Sequence, residues 1–168
     1  MLKAIVSAAS VAVLLATAAP ALAQTNEIAV GVTISATGPA AALGIPIKNT
    51  IELLPTEIGG VKVKVIQLDD AGDSTTATTN ARRLITQSKV DVLVGSSTSP
   101  PTIAVSTVAN EAAIPHFTLA PMPVNEARAK WSVVMPQPVP LMAKVMFEHM
   151  KKNNVKTVGL IGFSDSWG

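Results

Sequence analysis

The sequence predicts an α/β protein, a doubly wound parallel sheet with helices on both faces. Three observations lead there. Strand-like and helix-like segments alternate along the chain after residue 24, the pattern of parallel strands joined by right-handed crossovers. Hydrophobic residues make up 48% of the chain and charged residues only 14%, which suits strands buried on both faces. Cysteine is absent, so an apolar core and not disulfides must hold the fold, and zinc-thiolate and cysteine-nucleophile chemistry are excluded.

The first 23 residues stand apart. Met1-Leu2-Lys3 carries one positive charge, and residues 4–19 form an almost unbroken run of small and apolar side chains. Pro20 breaks the run, and Ala21-Leu22-Ala23 places small residues where a signal peptidase reads. This is the pattern of a secretory signal peptide, with cleavage expected between Ala23 and Gln24; the alternative is an uncleaved N-terminal anchor. The run is shorter than the roughly 20 apolar residues of a membrane-spanning helix. Residue 24 is glutamine, which offers no lipidation site at the cut. The expectation is a periplasmic protein that diffuses freely.

The mature chain then unfolds in order. Residues 27–32 read as a strand through Ile28, Val30 and Val32, and residues 40–57 as a helix carrying Ile47, Ile51, Leu54 and Ile58 inward. Pro46 sits inside that helix and Pro55 ends or kinks it. Gly59-Gly60 marks a turn into a second strand over 61–68. Asp69-Asp70-Ala71-Gly72-Asp73 is a loop, and Asp73 or Ser74 caps a helix to about residue 87 that turns Ala77, Ala81, Leu84 and Ile85 inward. A third strand covers 90–95. A polar loop follows, and Pro100-Pro101 opens a helix to about residue 112. A fourth strand covers 114–118, and residues 119–130 form an irregular connection. Residues 131–135 are extended, 138–153 form a helix with Leu141, Val145 and Met146 on one face, and 157–163 form a fifth strand. Lys151 and Lys152 suit the negative end of that last helix.

Much chemistry is absent. The formal net charge of +2 falls to +1 once Lys3 leaves, which gives no electrostatic case for a nucleic-acid partner. The two histidines, His116 and His149, belong to no metal-ligand spacing and read as core or surface residues. Gly95-Ser96-Ser97-Thr98-Ser99 falls one glycine short of a nucleophile elbow, because Ser99 stands where the second glycine belongs. No phosphate loop or dinucleotide fingerprint follows a strand. Asp69, Asp70 and Asp73 lack the spacing of a calcium loop, and capping and turn formation explain them without a cation. No cofactor and no metal site are expected.

A doubly wound sheet holds its ligand at the C-terminal ends of its strands. The loops there are 33–44, 95–101 and 118–123, rich in Ser, Thr, Ala, Gly and Pro and poor in ionisable groups. Ser99 before Pro100-Pro101, with Ser96, Ser97 and Thr98 beside it, places hydroxyls at a helix N-terminus, where an anion is favoured. Two readings stand here: this loop holds the carboxylate of a small solute, or Ser99 is an ordinary N-cap. Ala120-Pro121-Met122 can add backbone groups and an apolar wall.

At these residues the chain resembles the leucine/isoleucine/valine-binding family of periplasmic solute receptors, the type I binding proteins of ABC transporters. The matching stretches run in order: Thr37-Gly38-Pro39-Ala40 with Gly44; Leu68-Asp69-Asp70 with Asp73 and the helix to Leu84-Ile85; residues 92–99 with Ala104; Ile114-Pro115 to Thr118; and residues 158–168. The resemblance implies two α/β lobes closing on a solute, a non-catalytic role, and an inner-membrane ABC permease as partner. It implies that Ser99, with Ser97 and Thr98, meets a ligand carboxylate, that Ala120 and Met122 contact the head group, and that Leu43 and Trp167 occupy positions often taken by aromatic rings. Met122 stands where amino-acid binders carry threonine, and Leu43 replaces a ring, so the pocket becomes more apolar. The implied ligand is a small carboxylate, a branched-chain amino acid or an aromatic acid.

The family is about twice this length. The expected organisation is therefore a signal peptide over 1–23, an incomplete N-terminal lobe over 24–130, and a crossover with the first helix-strand unit of a second lobe over 131–168. Two other functions compete: a ligand sensor of the same fold, and a secreted α/β enzyme whose catalytic half lies elsewhere in the gene product. The sparse ionisable groups weigh against the enzyme.

Overall fold

The computed structural model describes residues 27–125 and 130–166. The expected signal segment with its cut at Ala23 and Gln24, and Trp167, lie outside the described residues.

Six strands form one sheet in the order β2-β3-β1-β4-β5-β6. They are β1 (Glu27–Ile34), β2 (Glu57–Ile58), β3 (Val61–Asp69), β4 (Val92–Gly95), β5 (His116–Thr118) and β6 (Ser132–Val134). All neighbours run parallel except β2, which turns back antiparallel onto β3 through Gly59 and Gly60. Among the described residues three helices connect them, α1 (Ala41–Ile51), α2 (Ser74–Thr86) and α3 (Ser99–Ala112), and a fourth, α4 (Val139–Lys152), follows β6. The chain leaves β1 toward β3 and then crosses back to β4. Right-handed connections running in opposite directions put α1 on one face and α2 with α3 on the other.

The main core lies between the sheet and the α2–α3 layer. Ala77, Ala81 and Leu84 of α2 meet Val105, Val108 and Ala109 of α3 over Leu93, with Ala29, Ile66 and Leu68 beneath. A Cβ at Gly31 would point at Val90 and Leu84, so the alternate residues Val32 and Ile34, both buried, face α1. Asp73 caps α2 as expected, its Oδ1 accepting the Thr76 N–H at 2.7 Å and the Thr76 hydroxyl at 2.8 Å. Those two bonds hold the Asp73 carboxyl below its ordinary pKa.

Several expectations change. α1 ends at Ile51 and not near 57, because Pro55 offers no N–H and disfavours helical geometry before it. Leu54 and Ile58, expected inward, are therefore exposed. Ile85 does turn inward, half-buried against the core cluster. α3 starts one residue early, so its N-cap is Thr98 and Ser99 is its first helical residue. The extended stretch after Trp131, expected as a crossover, adds β6 to the same sheet, pairing with β5. The strand expected over 157–163 is not formed. A strand exists only against a partner ladder, and no strand neighbours this segment among the described residues; Leu160 and Ile161 are 96% and 98% exposed.

Candidate functional site

The sheet changes its direction of growth at β1, with β3 on one side and β4 on the other. Loops leaving strands at such a switch point diverge and open a crevice. A cleft of about 490 Å³ lies there. Its walls come from Pro39, Ala40, Ala42 and Leu43 after β1, Ala71 and Gly72 after β3, residues 97–100 after β4, and Ala120 with Pro121 after β5. Phe163 and Asp165 complete the lining from the tail.

Close backbone approaches build these walls. A Cβ at Gly95 would sit 1.9 Å from the Thr33 carbonyl oxygen, and one at Gly44 would sit 2.0 Å from that of Ser35. Only glycine lets β4 reach β1, and α1 reach the first loop, at these distances. Asp69 ties that loop to the second by accepting the N–H groups of Ala36 (2.9 Å), Thr37 (3.3 Å) and Ala71 (2.9 Å) and the Thr37 hydroxyl (2.5 Å). Burial pushes its carboxyl upward, but the Thr37 hydroxyl and the N–H groups outweigh that and hold it below the ordinary value. Asp70 is fully buried and accepts from Thr33, Ser35 and Ser96 hydroxyls at 2.9, 2.8 and 2.6 Å.

His116 props the β4–α3 loop from the core side. Its Nε2 lies 2.6 Å from the Gly95 carbonyl oxygen. A carbonyl only accepts, so Nε2 carries the proton and Nδ1 is left to face Ser132 Oγ at 3.4 Å. Burial lowers its pKa, against the opposing pull of the Gly95 bond. The core reading of His116 holds, and His149 is exposed on α4.

The structure gathers Leu43, Ser97, Thr98, Ser99 and Ala120 around the cleft. Met122 is buried but does not line it; Ala120 and Pro121 make that wall. Ser99 is not an N-cap. Its hydroxyl donates to the Pro121 carbonyl at 2.6 Å and clamps the fourth loop to the head of α3. Pro100 and Pro101 have no N–H, so Ser99 alone supplies a backbone donor in the first three helical positions. An anion there would meet the helix dipole, hydroxyls and one amide, and not a ring of amides. None of the described lining residues is basic, and Asp165 is the ionisable group among them. Among the described residues no group of His, Cys, Asp or Glu side chains could hold a metal ion. Asp69, Asp70 and Asp73 instead accept protein hydrogens.

Sequence reasoning missed Asp70 and the tail contribution of Phe163 and Asp165. The signal for Asp70 was present: hydroxyl residues Thr33, Ser35 and Ser96 sit at strand ends where apolar residues are the rule.

A model of the periplasmic binding protein family matches residues 27–168. The chain belongs to that family. It is 40% identical over 117 residues to Leu/Ile/Val-binding protein homolog 7 of Brucella melitensis, covering 67% of this chain and 29% of that protein. An extracellular ligand-binding receptor from Rhodopseudomonas palustris HaA2 superposes with a TM-score of 0.82 at 66% identity, over 84% of this chain and 40% of that one. The solute-binding protein of an ABC transporter from Rhodopseudomonas palustris BisB5, solved with 3,4-dihydroxybenzoic acid, superposes with a TM-score of 0.71 at 26% identity, over 78% of this chain and 38% of that one. The sheet is thus that of a type I periplasmic binding protein, and the chain spans well under half the length of these relatives. Among the described residues no helix is long and apolar enough to cross a membrane.

Proposed function

We propose that this chain is the N-terminal part of the solute-binding component of an ABC importer, exported to the periplasm. It holds a small carboxylate with an apolar or aromatic body and does not transform it. Residues 24–134, with β6 as the last strand of the sheet, act as most of one lobe, and residues 135–168 lead into the second.

The observation that carries this reading is the composition of the cleft. The Ser97 and Thr98 hydroxyls and the Ser99 N–H stand at the positive end of α3, while Pro39, Leu43, Ala120, Pro121 and Phe163 supply apolar surface around them. Such a site can seat an acidic head group and shelter an apolar body. It offers no nucleophile–base pair within hydrogen-bond reach among the described lining residues, as hydrolysis would require. The relatives support the same class: one carries a Leu/Ile/Val-binding name and another was solved with an aromatic acid.

Calorimetry on the full-length gene product tests this, with branched-chain amino acids and benzoate-type acids as ligands. Aromatic acids are expected to bind at least as tightly as leucine, isoleucine and valine, and to be recovered unchanged. Tight leucine binding with every aromatic acid silent would refute the preference.

A further inference from the structure

Ser99, Thr102 and Ser106 of α3 are all buried. Their spacing of three and then four residues puts them on one face of the helix. Each hydroxyl is spent on the surrounding frame. Ser99 Oγ donates to the Pro121 carbonyl at 2.6 Å, Thr102 Oγ1 donates to the Thr98 carbonyl at 2.8 Å, and Ser106 Oγ pairs with Ser132 Oγ of β6 at 2.8 Å. A hydroxyl has one hydrogen, and a carbonyl only accepts. The Ser99 side chain therefore turns nothing but lone pairs to any other neighbour, and lone pairs repel a carboxylate oxygen.

The residue before it is in the opposite state. Thr98 is the N-cap of α3, yet its side chain makes no capping bond. An N-cap oxygen accepts from the second or third helical N–H. Those positions hold Pro100 and Pro101, which have none. The Thr98 hydroxyl is thus released to the cleft it lines. Ser97, itself buried, lines the cleft beside it. Its Oγ accepts the Ser35 N–H at 3.1 Å, and among the described residues nothing accepts its hydrogen.

We infer that Ser99 is a positioning residue: its hydroxyl holds the Ala120–Pro121 wall against α3 and sets the width of the cleft, while the Thr98 and Ser97 hydroxyls and the Ser99 N–H hold the carboxylate. This rests on the carboxylate reading above. The family resemblance gives the Ser99 side chain to the carboxylate; the geometry gives it to the wall. The two neighbours then govern different properties of the ligand. Ser99 decides how broad an apolar body fits, and Thr98 decides the preference for an acid over its neutral amide.

Calorimetry on the full-length protein separates the two roles, with 3,4-dihydroxybenzoate, its primary amide and the broader 2-naphthoate as probes. Ser99→Ala frees the wall. It is expected to raise the affinity for 2-naphthoate relative to 3,4-dihydroxybenzoate about fivefold, the scale of one neutral hydrogen bond, and to leave the acid-over-amide ratio unchanged. Ser99→Thr retains the hydroxyl and should restore the wild-type preference for the narrower acid. Thr98→Val keeps the side-chain shape and is expected to lower the acid-over-amide ratio about tenfold, the scale of one hydrogen bond to a charged group. A lowered acid-over-amide ratio or an unchanged width preference in Ser99→Ala overturns the inference, as does an unchanged acid-over-amide ratio in Thr98→Val. If Ser99→Ala does not fold, the wild-type complex decides. Ser99 Oγ still on the Pro121 carbonyl supports the inference, and Ser99 Oγ turned onto the carboxylate overturns it. Wild-type protein that binds neither acid, or binds acid and amide alike, overturns the carboxylate reading itself. Wild-type protein that prefers the acid, and loses that preference in Ser99→Ala, overturns this inference alone.

Discussion

Helices α2 and α4 differ by a single residue in length, and each turns apolar side chains to one side. α2 buries Ala77, Ala81 and Leu84 against the sheet and α3. α4 buries none of its residues: Leu141, Met142, Val145, Met146 and Phe147 are all exposed. The same contrast separates their surroundings. Around α2, loops are joined by the buried Asp70 and the exposed Asp69 carboxylates and by glycines that let backbones touch. Beyond α4, residues 155–166 are exposed throughout. An amphipathic pattern states which face must be covered; only a neighbouring element makes that face contribute stability.

Substitutions can break or sharpen that contrast, beginning with the largest effect. Gly95→Ala drives a Cβ to 1.9 Å from the Thr33 carbonyl and is expected to cost about 4 kcal/mol or more. A Cβ at Gly159 meets nothing within 4 Å, so Gly159→Ala should stay within about 0.5 kcal/mol. Urea unfolding read by circular dichroism compares the two, and equal losses would erase the distinction between the regions. Next, Leu84→Ala removes a fully buried side chain and should cost about 2–5 kcal/mol. Leu141→Ala in the same chain should cost less than about 0.5 kcal/mol. In the full-length gene product the Leu141 effect should rise to about 2 kcal/mol or more if the proposed second lobe covers α4.

A third prediction concerns pH. Burial keeps His116 neutral in the folded protein, with its pKa below the ordinary 6.5. Below pH 6.5 the unfolded chain takes up the proton before the folded one does. Stability must then fall as pH drops from 6.5 toward the folded pKa, by at most about 1.4 kcal/mol per pH unit. Urea midpoints between pH 7.5 and 5.5 should show that fall, and a His116→Asn variant should lose it. The smallest effect lies lower still. Asp69 and Asp73 have folded pKa values below 3.8, so their contribution is complete above that pH and disappears as pH falls through the folded values. Asp73→Ala should flatten the acid limb slightly.

How much of this was legible follows the same division. The β-α alternation, the Asp73 cap and the inward residues of α2 could be read because local chemistry decides them. The switch-point cleft followed from topology, and Ser97, Thr98 and Ala120 were legible as residues at the strand ends. The strand expected over 157–163 failed because apolar content does not supply a partner ladder. The N-cap fell on Thr98 and not Ser99 because a prolyl pair fits one residue further into the first turn than expected. Asp70 was read as a turn residue, since a buried carboxylate is found only where three distant hydroxyls converge, and their convergence is a property of the sheet.

The most direct measurement is a crystal structure of the full-length protein with 3,4-dihydroxybenzoate. The expected result places the carboxylate within hydrogen-bond distance of Ser97 or Ser99 at the head of α3, with the ring against Leu43, Ala120 and Pro121. A ligand whose carboxylate points away from α3, toward a basic side chain elsewhere, would contradict it.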